Sequence, residues 1–98
     1  MTAPAAHQRL HAVVSGRVQG VGFRVTTAGE ARRRDLAGWV RNLWNGEVEL
    51  EAEGAPAALE GLLAFLREGP GLAHVTNVRV AWLAPAGLPR PFEVRETF

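Results

Sequence analysis

The chain of 98 residues contains no cysteine, no lysine and no tyrosine. Without cysteine it can form neither a disulfide framework nor a thiolate metal site, and a cysteine nucleophile is excluded. Without lysine, the Gly-Lys-Ser/Thr motif of a Walker-type nucleotide loop is excluded. No apolar run approaches the roughly 20 residues that span a membrane, and the start of the chain lacks the apolar segment of a signal peptide. We therefore expect a cytoplasmic protein with no membrane partner.

Length and charge set limits on the domain count and on the partners. Ninety-eight residues, 47% of them hydrophobic, suffice for one domain with a modest core. We expect a flexible N-terminus over 1–8 and one domain over 9–98. The formal net charge of +1 argues against electrostatic binding to nucleic acid. We expect a monomer.

The stretch from Ser15 to Arg24 carries three glycines and two arginines between an alternating apolar run and a predicted helix. The N–H groups of a glycine-rich turn and of the following helix start converge on one point, which favours an anion. Arg24 would lie in the first helical turn, where the helix dipole disfavours a cation by about 0.3–1 kcal/mol. A bound anion removes that conflict. The stretch predicts an anion site, with a plain glycine turn and a solvent-facing arginine as the alternative.

Hydrophobic periodicity predicts seven elements along the chain. They are a strand over 9–15, a helix over 22–34, strands over 38–44 and 47–53, a helix from Pro56 to the cap Gly69, a strand over 77–82 and a short strand over 92–98. This order predicts an α+β, ferredoxin-like βαββαβ sandwich, with two helices on one face of an antiparallel sheet and a short extra C-terminal strand.

Several local features carry separate predictions. Asn45-Gly46 favours a type I′ hairpin turn, because both central positions of that turn need positive φ. The second strand has apolar residues in both phases, so its buried face stays unassigned. In the last strand, Phe92 and Val94 are expected to point inward. The three arginines that end the first helix, at 32–34, are interpreted as a solvated helix end.

Four glutamates alternate along the third strand, at positions 47, 49, 51 and 53. A metal or acid–base role is one interpretation, but this spacing places them on the open sheet face, where Arg9 or His11 of a neighbouring strand can pair with them. An RNA-binding sheet, which stacks bases on aromatic side chains, is disfavoured because these carboxylates would repel phosphates. His11 and His74 lie apart in the sequence, with no carboxylate next to either of them along the chain, so we expect no metal and no cofactor.

Two blocks of the sequence resemble the acylphosphatase family. Gly16-Arg17-Val18-Gln19-Gly20-Val21-Gly22-Phe23-Arg24 resembles the family's phosphate loop. Gly38-Trp39-Val40-Arg41-Asn42, followed by Asn45-Gly46 and Val48-Glu49, resembles its second block, and the two blocks fall at the family's separation. The Gly69-Pro70 turn and the closing strand fit as well, so the resemblance covers nearly everything after Arg9.

The resemblance implies hydrolysis of the carboxyl-phosphate bond of a small-molecule acyl phosphate. It places the substrate phosphate on Gln19, Gly20, Val21, Gly22, Phe23 and Arg24, and it makes Arg24 and Asn42 catalytic. In the family the arginine and the loop N–H groups bind phosphate, and the asparagine positions the attacking water. The residues agree with such chemistry, since an acyl phosphate has a good leaving group and needs no metal. Without the family, Asn42 would be interpreted as a strand residue that satisfies backbone groups near a hairpin.

The sequence departs from the family pattern at Asp35 and Asn45. Asp35 stands where the family usually has a glycine closing the first helix, so this position must adopt left-handed geometry with a side chain. Asn45 replaces a more usual aspartate of the hairpin turn. The alternative to a free-standing enzyme is a non-catalytic phosphate-binding or regulatory module, since such domains also occur within larger enzymes.

Overall fold

A computed structural model describes residues 7–98, so most of the predicted flexible N-terminus lies outside the described residues. The chain forms β1 (Gln8–Arg17), α1 (Phe23–Arg33), β2 (Ala37–Asn42), β3 (Val48–Gly54), α2 (Pro56–Glu68), β4 (His74–Leu83) and β5 (Glu93–Arg95). Every predicted element is present. The largest differences in bounds are that β1 and β4 are longer and that β2 and β5 are shorter than the patterns indicated.

The five strands form one sheet in the order β4-β1-β3-β2-β5. The first four are antiparallel neighbours, while β5 runs parallel to β2, so the sheet is mixed rather than wholly antiparallel. Because β1 and β2 both run antiparallel to the β3 strand between them, α1 crosses over one intervening strand, and α2 does the same between β3 and β4. The predicted ferredoxin-like order with an added C-terminal strand is confirmed.

The core lies between the helices and one face of the sheet. The helix α2 contributes a leucine at each of its buried positions, namely Leu59, Leu62, Leu63 and Leu66. The thin stripe of α1 is buried as predicted, at Phe23, Thr27 and Ala31. Val48, Leu50 and Ala52 of β3 face this layer and are fully buried. Small side chains on α1 therefore let that helix lie close to the sheet.

The second strand has apolar residues in both phases because both of its faces are covered. Val40 lies in the core at 0% exposure, and Trp39 on the opposite face is also buried. The guanidinium groups of Arg41 and Arg95 lie over the Trp39 ring, 4.7 and 5.0 Å from its centroid. Cation–π contacts of this kind shield an aromatic ring on an otherwise open face.

The C-terminal end of α1 is a Schellman motif. The Leu36 N–H donates to the Ala31 carbonyl and the Asp35 N–H donates to the Arg32 carbonyl. Asp35 has a φ of 58°, which confirms the predicted left-handed geometry at that position. The arginine run before it is not merely solvated, because Arg32 donates to the Phe92 carbonyl and Arg33 and Arg34 both bind the buried Glu30.

The hairpin between β2 and β3 is not a type I′ turn. Gly46 has a φ of 95°, but Asn45 does not have a positive φ. The Gly46 N–H donates to the Leu43 carbonyl, and the Leu43 N–H donates to the Glu47 carbonyl. This pattern is a three-residue loop, a turn followed by a left-handed glycine, which needs only one positive φ.

The last strand is an exposed edge. Phe92 is completely buried as predicted. Val94 lies on the same face of the sheet as the core residue Val40, in the inward orientation predicted for it, but it is 41% exposed. Val94 pairs with Val40 on one side, and no strand among residues 7–98 pairs with β5 on its other side. An edge strand of three residues leaves such a side chain partly in solvent.

The open face of the sheet carries the four glutamates of the β3 segment, as predicted. Arg9 binds Glu51 at 3.1 Å and His11 binds Glu49 at 2.8 Å. The pairing expected for His11 on this face is therefore present. Glu49 lies diagonally from His11, because the strand register places His11 opposite Glu51 and Val13 opposite Glu49. Within residues 7–98, no helix is long and apolar enough to cross a membrane.

Candidate active site

The loop between β1 and α1 leaves an uncapped helix start. Gly22 is the N-cap residue, with no side-chain capping bond, and the first turn of α1 has no acidic residue. Both Gly20 and Gly22 have a φ of 75°, and an added Cβ at either would meet no atom of the described part of the chain within 4 Å. Glycine is therefore needed there for its backbone conformation rather than for space. The first main-chain bond of the helix runs from the Thr26 N–H to the Gly22 carbonyl, which leaves earlier N–H groups available to a ligand.

A cavity of about 120 Å³ opens at this helix start. Seven residues line it, namely Val18, Gly20, Gly22, Phe23, Arg24, Val25 and Asn42. Val18 and Phe23 are buried and form its apolar floor. The structure thus brings Arg24 and Asn42, which belong to different elements, to one cavity.

Asn42 is the last residue of β2, and its side chain has an unusual environment. Its Oδ1 atom is buried and has no hydrogen-bond partner among the described residues. A buried acceptor without a partner costs about 1–3 kcal/mol. The side-chain oxygen therefore does not serve the neighbouring hairpin backbone, which was the structural interpretation of this residue.

The C-terminal segment, residues 95–98, forms hydrogen bonds with Arg24 and Asn42, the two cavity residues that have polar side chains. The Arg24 Nη1 atom donates to the Arg95 carbonyl oxygen at 2.9 Å, which limits the orientations of the guanidinium. The Phe98 N–H donates to the Asn42 carbonyl oxygen at 3.0 Å. The chain beyond β5 thus runs alongside the end of β2 and fixes the main chain at Asn42.

The charged residues nearest Asn42 on the open sheet face are paired with one another. Burial of Glu49 alone would raise its pKa, but hydrogen bonds from His11 and Arg41 outweigh burial and leave that pKa lowered. Arg41, next to Asn42 in the chain, binds Glu49 at 2.8 Å and lies 3.8 Å from the centroid of the Phe98 ring. Among residues 7–98, no three His, Asp or Glu side chains lie close enough together to hold a metal ion.

Known proteins match the chain over most of its length. The profile of the acylphosphatase family matches residues 10–94. An acylphosphatase from Anaeromyxobacter dehalogenans is 51% identical over 87 residues, which are 89% of this chain and 94% of that protein. An acylphosphatase from Thermococcus kodakarensis is 50% identical over 80 residues, 82% of this chain and 88% of that protein. The chain belongs to the acylphosphatase family.

The solved structures agree in fold. The structure of an acylphosphatase from Coxiella burnetii superposes with a TM-score of 0.86 at 39% identity, over 91% of this chain and 93% of that one. Acylphosphatase activity and the ferredoxin-like sandwich are therefore established for this chain. The family resemblance found in the sequence is confirmed.

The residues predicted for the acylphosphatase site fall into two groups. Gly20, Gly22, Phe23, Arg24 and Asn42 line the cavity together. Gln19 and Val21 do not line it. The side-chain amide of Gln19 instead donates to the Leu43 carbonyl at 2.7 Å and to the Glu47 carbonyl at 2.8 Å.

Sequence reasoning missed the contacts of the C-terminal segment with the site. Arg95 and Phe98 reach the cavity residues through main-chain atoms, and a carbonyl or N–H group leaves no trace in residue type. Val18 and Val25 were missed as well, since an apolar side chain at the end of a strand or in a helix resembles an ordinary core residue. The exposure of Val25, 70%, is visible only in the folded chain.

Proposed function

We propose that this acylphosphatase hydrolyses acyl phosphates by in-line attack of a water molecule on phosphorus. In this proposal the main-chain N–H groups over Gln19–Phe23 and the Arg24 guanidinium hold the phosphoryl group, and the side chain of Asn42 positions the water. The observation that carries the proposal is the placement of Arg24 and Asn42 on one cavity at an uncapped helix start.

Electrostatics support the assignment of the phosphate to this end of α1. A cation at the N-terminus of a helix opposes the helix dipole, and the first turn here offers no acidic side chain to offset Arg24. A phosphoryl dianion satisfies both the free N–H groups and the guanidinium. Because the Arg95 carbonyl already orients that guanidinium, the donors are arranged before substrate arrives.

The unpartnered Oδ1 atom supports the role of Asn42. An amide offers one acceptor oxygen and two donor hydrogens, so it can accept from a water while that water keeps a lone pair for attack. No donor among residues 7–98 occupies Oδ1, so this oxygen is available to accept from the water. Positioning of this kind lowers the barrier by converting a bimolecular encounter into an oriented one.

The reaction needs little beyond these groups. Water attacks phosphorus, the bond from phosphorus to the acyl oxygen breaks, and the carboxylate leaves with the bonding electrons. The protons of the water stay on the phosphate product, so the equation balances without a separate acid, metal or cofactor. We propose that the enzyme is metal-independent. Excess EDTA should leave turnover unchanged, and a loss restored by Mg²⁺ or Zn²⁺ would contradict this.

The test compares two variants with an aromatic acyl phosphate as substrate. Arg24→Lys keeps the charge but loses the planar fork, so both kcat and the affinity for inorganic phosphate should fall. Asn42→Ala should lower kcat by about 10²–10³ while phosphate inhibits almost as well as in the wild type. Circular dichroism establishes that both variants fold.

Arg67→Ala, an exposed arginine in the last turn of α2, is the matched control and should leave both quantities unchanged. If the Asn42→Ala variant folds and keeps the wild-type kcat, Asn42 does not position the attacking water. Equal loss of phosphate binding in the two test variants would assign Asn42 to the phosphate site instead. A wild-type protein that binds phosphate but does not turn over the substrate would be the non-catalytic module.

We further propose that the protein acts as a monomer in the cytoplasm, without nucleic acid or a membrane as partner. The open sheet face supports the absence of a nucleic-acid partner, because it carries the paired glutamates of β3 where an RNA-binding sheet would present aromatic rings. Size-exclusion chromatography with light scattering tests the monomer, and cell fractionation tests the location.

A further inference from the structure

The side chain of Gln19 connects two parts of the chain that the proposed mechanism needs at a fixed separation. Gln19 lies in the loop between Val18 and Gly20, both of which line the cavity. Its Nε2 atom donates to the Leu43 carbonyl oxygen at 2.7 Å and to the Glu47 carbonyl oxygen at 2.8 Å. A primary amide has two N–H hydrogens, so one can serve each carbonyl. Only the nitrogen end can bond to two carbonyl oxygens, which fixes the orientation of the amide.

The two carbonyls belong to the hairpin that carries Asn42. Asn42 pairs with Val48, and Leu43 and Glu47 form the next pair toward the turn. Gln19 therefore binds Leu43, the residue that follows Asn42, and Glu47, the residue that pairs with Leu43 across the hairpin. If the loop over Gln19–Phe23 moved relative to Leu43 and Glu47, the distance between the proposed phosphate site and the Asn42 amide would change.

The hairpin does not need Gln19 to satisfy its own backbone. The Glu47 carbonyl already accepts from the Leu43 N–H at 2.8 Å, and the Leu43 carbonyl already accepts from the Gly46 N–H at 3.1 Å. Each carbonyl oxygen has a second lone pair, which the Gln19 amide uses. Removal of the amide would leave no hairpin carbonyl without a partner, so what is lost is the connection between loop and hairpin.

We propose that Gln19 is a positioning residue, whose side chain sets the distance between the phosphate loop and the water-positioning Asn42. This inference rests on the proposed function of that loop and of Asn42. In this inference the Gln19 side chain holds the loop and the hairpin at a fixed separation. Only the main-chain N–H of Gln19 binds the phosphate.

The first experiment uses Gln19→Met, which keeps the length and the unbranched shape of the side chain but has no donor. A misplacement of about 1 Å between reacting groups costs on the order of 10²-fold in rate. We expect kcat to fall by about 10- to 100-fold, while the inhibition constant of inorganic phosphate stays within about twofold, because loop and Arg24 are intact. Gln8→Met, an exposed glutamine at the start of β1, is the matched control and should change neither.

A double-mutant cycle then asks whether Gln19 acts through Asn42. If it does, Gln19→Met should have no further effect on kcat in a protein that already lacks the Asn42 amide. The kcat of Gln19→Met/Asn42→Ala should equal that of Asn42→Ala within about twofold. Multiplicative losses, or a loss of phosphate affinity in Gln19→Met that matches its loss of kcat, would overturn the inference.

A second variant keeps the inference testable if the methionine variant does not fold. Gln19→Glu preserves the shape, but an ionised carboxylate faces two carbonyl oxygens and cannot donate, whereas the protonated acid can donate to one of them. The ratio of its kcat to that of the wild type should therefore rise as pH falls through the titration of the new carboxyl. A ratio that is independent of pH would overturn the inference.

The outcomes separate this inference from the proposed function. If Asn42→Ala retains wild-type kcat, the water-positioning role itself fails. If Asn42→Ala loses activity as expected while the effects of the two substitutions multiply, the mechanism stands and only the role of Gln19 is lost.

Discussion

Asp35 combines a backbone cost with a side-chain contact. Its φ of 58° lies in the left-handed region, which costs an ordinary L-residue about 1–2 kcal/mol and glycine almost nothing. Its carboxylate binds Arg90 at 2.9 Å, a contact that the sequence did not predict. The Asp35 side chain is 92% exposed, so we expect the ion pair to offset only part of the backbone cost.

Replacing Asp35 with glycine removes the backbone cost and the ion pair together. Asp35→Gly and Asp35→Ala both remove the ion pair, so their difference reports the backbone alone. We expect the glycine variant to be more stable than the alanine variant by about 1 kcal/mol in urea denaturation. Asp35→Gly itself should lie within about 0.5 kcal/mol of the wild type, since the two changes oppose each other. Equal stability of the two variants would show that the left-handed geometry carries no cost.

The strand β2 depends on a glycine where it meets two neighbours. Gly38 has a φ of 145°, and its N–H donates to the Pro89 carbonyl at 2.9 Å. A Cβ added there would collide with the Glu51 carbonyl oxygen and lie 2.7 Å from Cε2 of Phe92. Neither the carbonyl of a central strand nor a ring that is completely buried can move aside cheaply.

Gly38→Ala should therefore destabilise the protein by about 2–4 kcal/mol, through steric overlap and backbone strain together. Gly29→Ala is the matched control, since Gly29 lies exposed in α1 and a Cβ there meets no atom of residues 7–98 within 4 Å. That substitution should stabilise the protein by about 0.5–1 kcal/mol, because glycine is a poor helix residue. Chemical denaturation of both variants measures the difference, and similar stabilities would contradict the close approach at Gly38.

At the scale of the whole molecule, the four glutamates of the β3 segment connect separate parts of the fold. Glu47 accepts from Ser15 of β1 and Arg79 of β4, and Glu53 accepts from the N–H groups of the loop over 86–88. Hydrogen bonds from Arg79, Ser15 and Asn45 lower the pKa of Glu47 to about 2. Burial would raise the pKa of Glu53, but the three N–H groups leave it lowered.

A lowered carboxyl pKa stabilises the fold at a pH above the unfolded value, and this contribution is lost as pH falls through the folded value. For Glu47 the window runs from 4.5 down to about 2. Glu47→Gln should lower the free energy of unfolding by about 1–2 kcal/mol at pH 7, after allowance for solvent around the half-exposed Arg79. The difference from wild type should shrink toward zero as pH approaches 2 in urea titrations.

Glu60→Gln, on the exposed side of α2, is the control for the change of charge, and its effect should be small. A Glu47→Gln difference that stays constant between pH 7 and pH 2.5 would show that the ion pair with Arg79 and the hydrogen bonds of that carboxylate do not contribute to acid stability.

Most of the residues that line the cavity were predicted from the sequence, but the hydrogen-bond partners of the site residues were not. Arg24 and Asn42 were found because the loop and the second strand carry residue types at spacings that match one family. The role of the Gln19 side chain was not found, because its partners are carbonyl oxygens of a hairpin 24 and 28 residues away. A main-chain partner is independent of residue type, so only coordinates can reveal it.

The sequence alone determined the element order, most of the core positions and the glycine-rich loop before α1, because these follow from local periodicity and from the backbone freedom of single residues. Tertiary structure decided what depends on the meeting of distant segments. The parallel pairing of β5 with β2 brings the Arg95 carbonyl to Arg24, and the register of β1 on β3 brings His11 to Glu49. Strand register and edge placement are set by the packing of the whole sheet, so no local pattern could determine them.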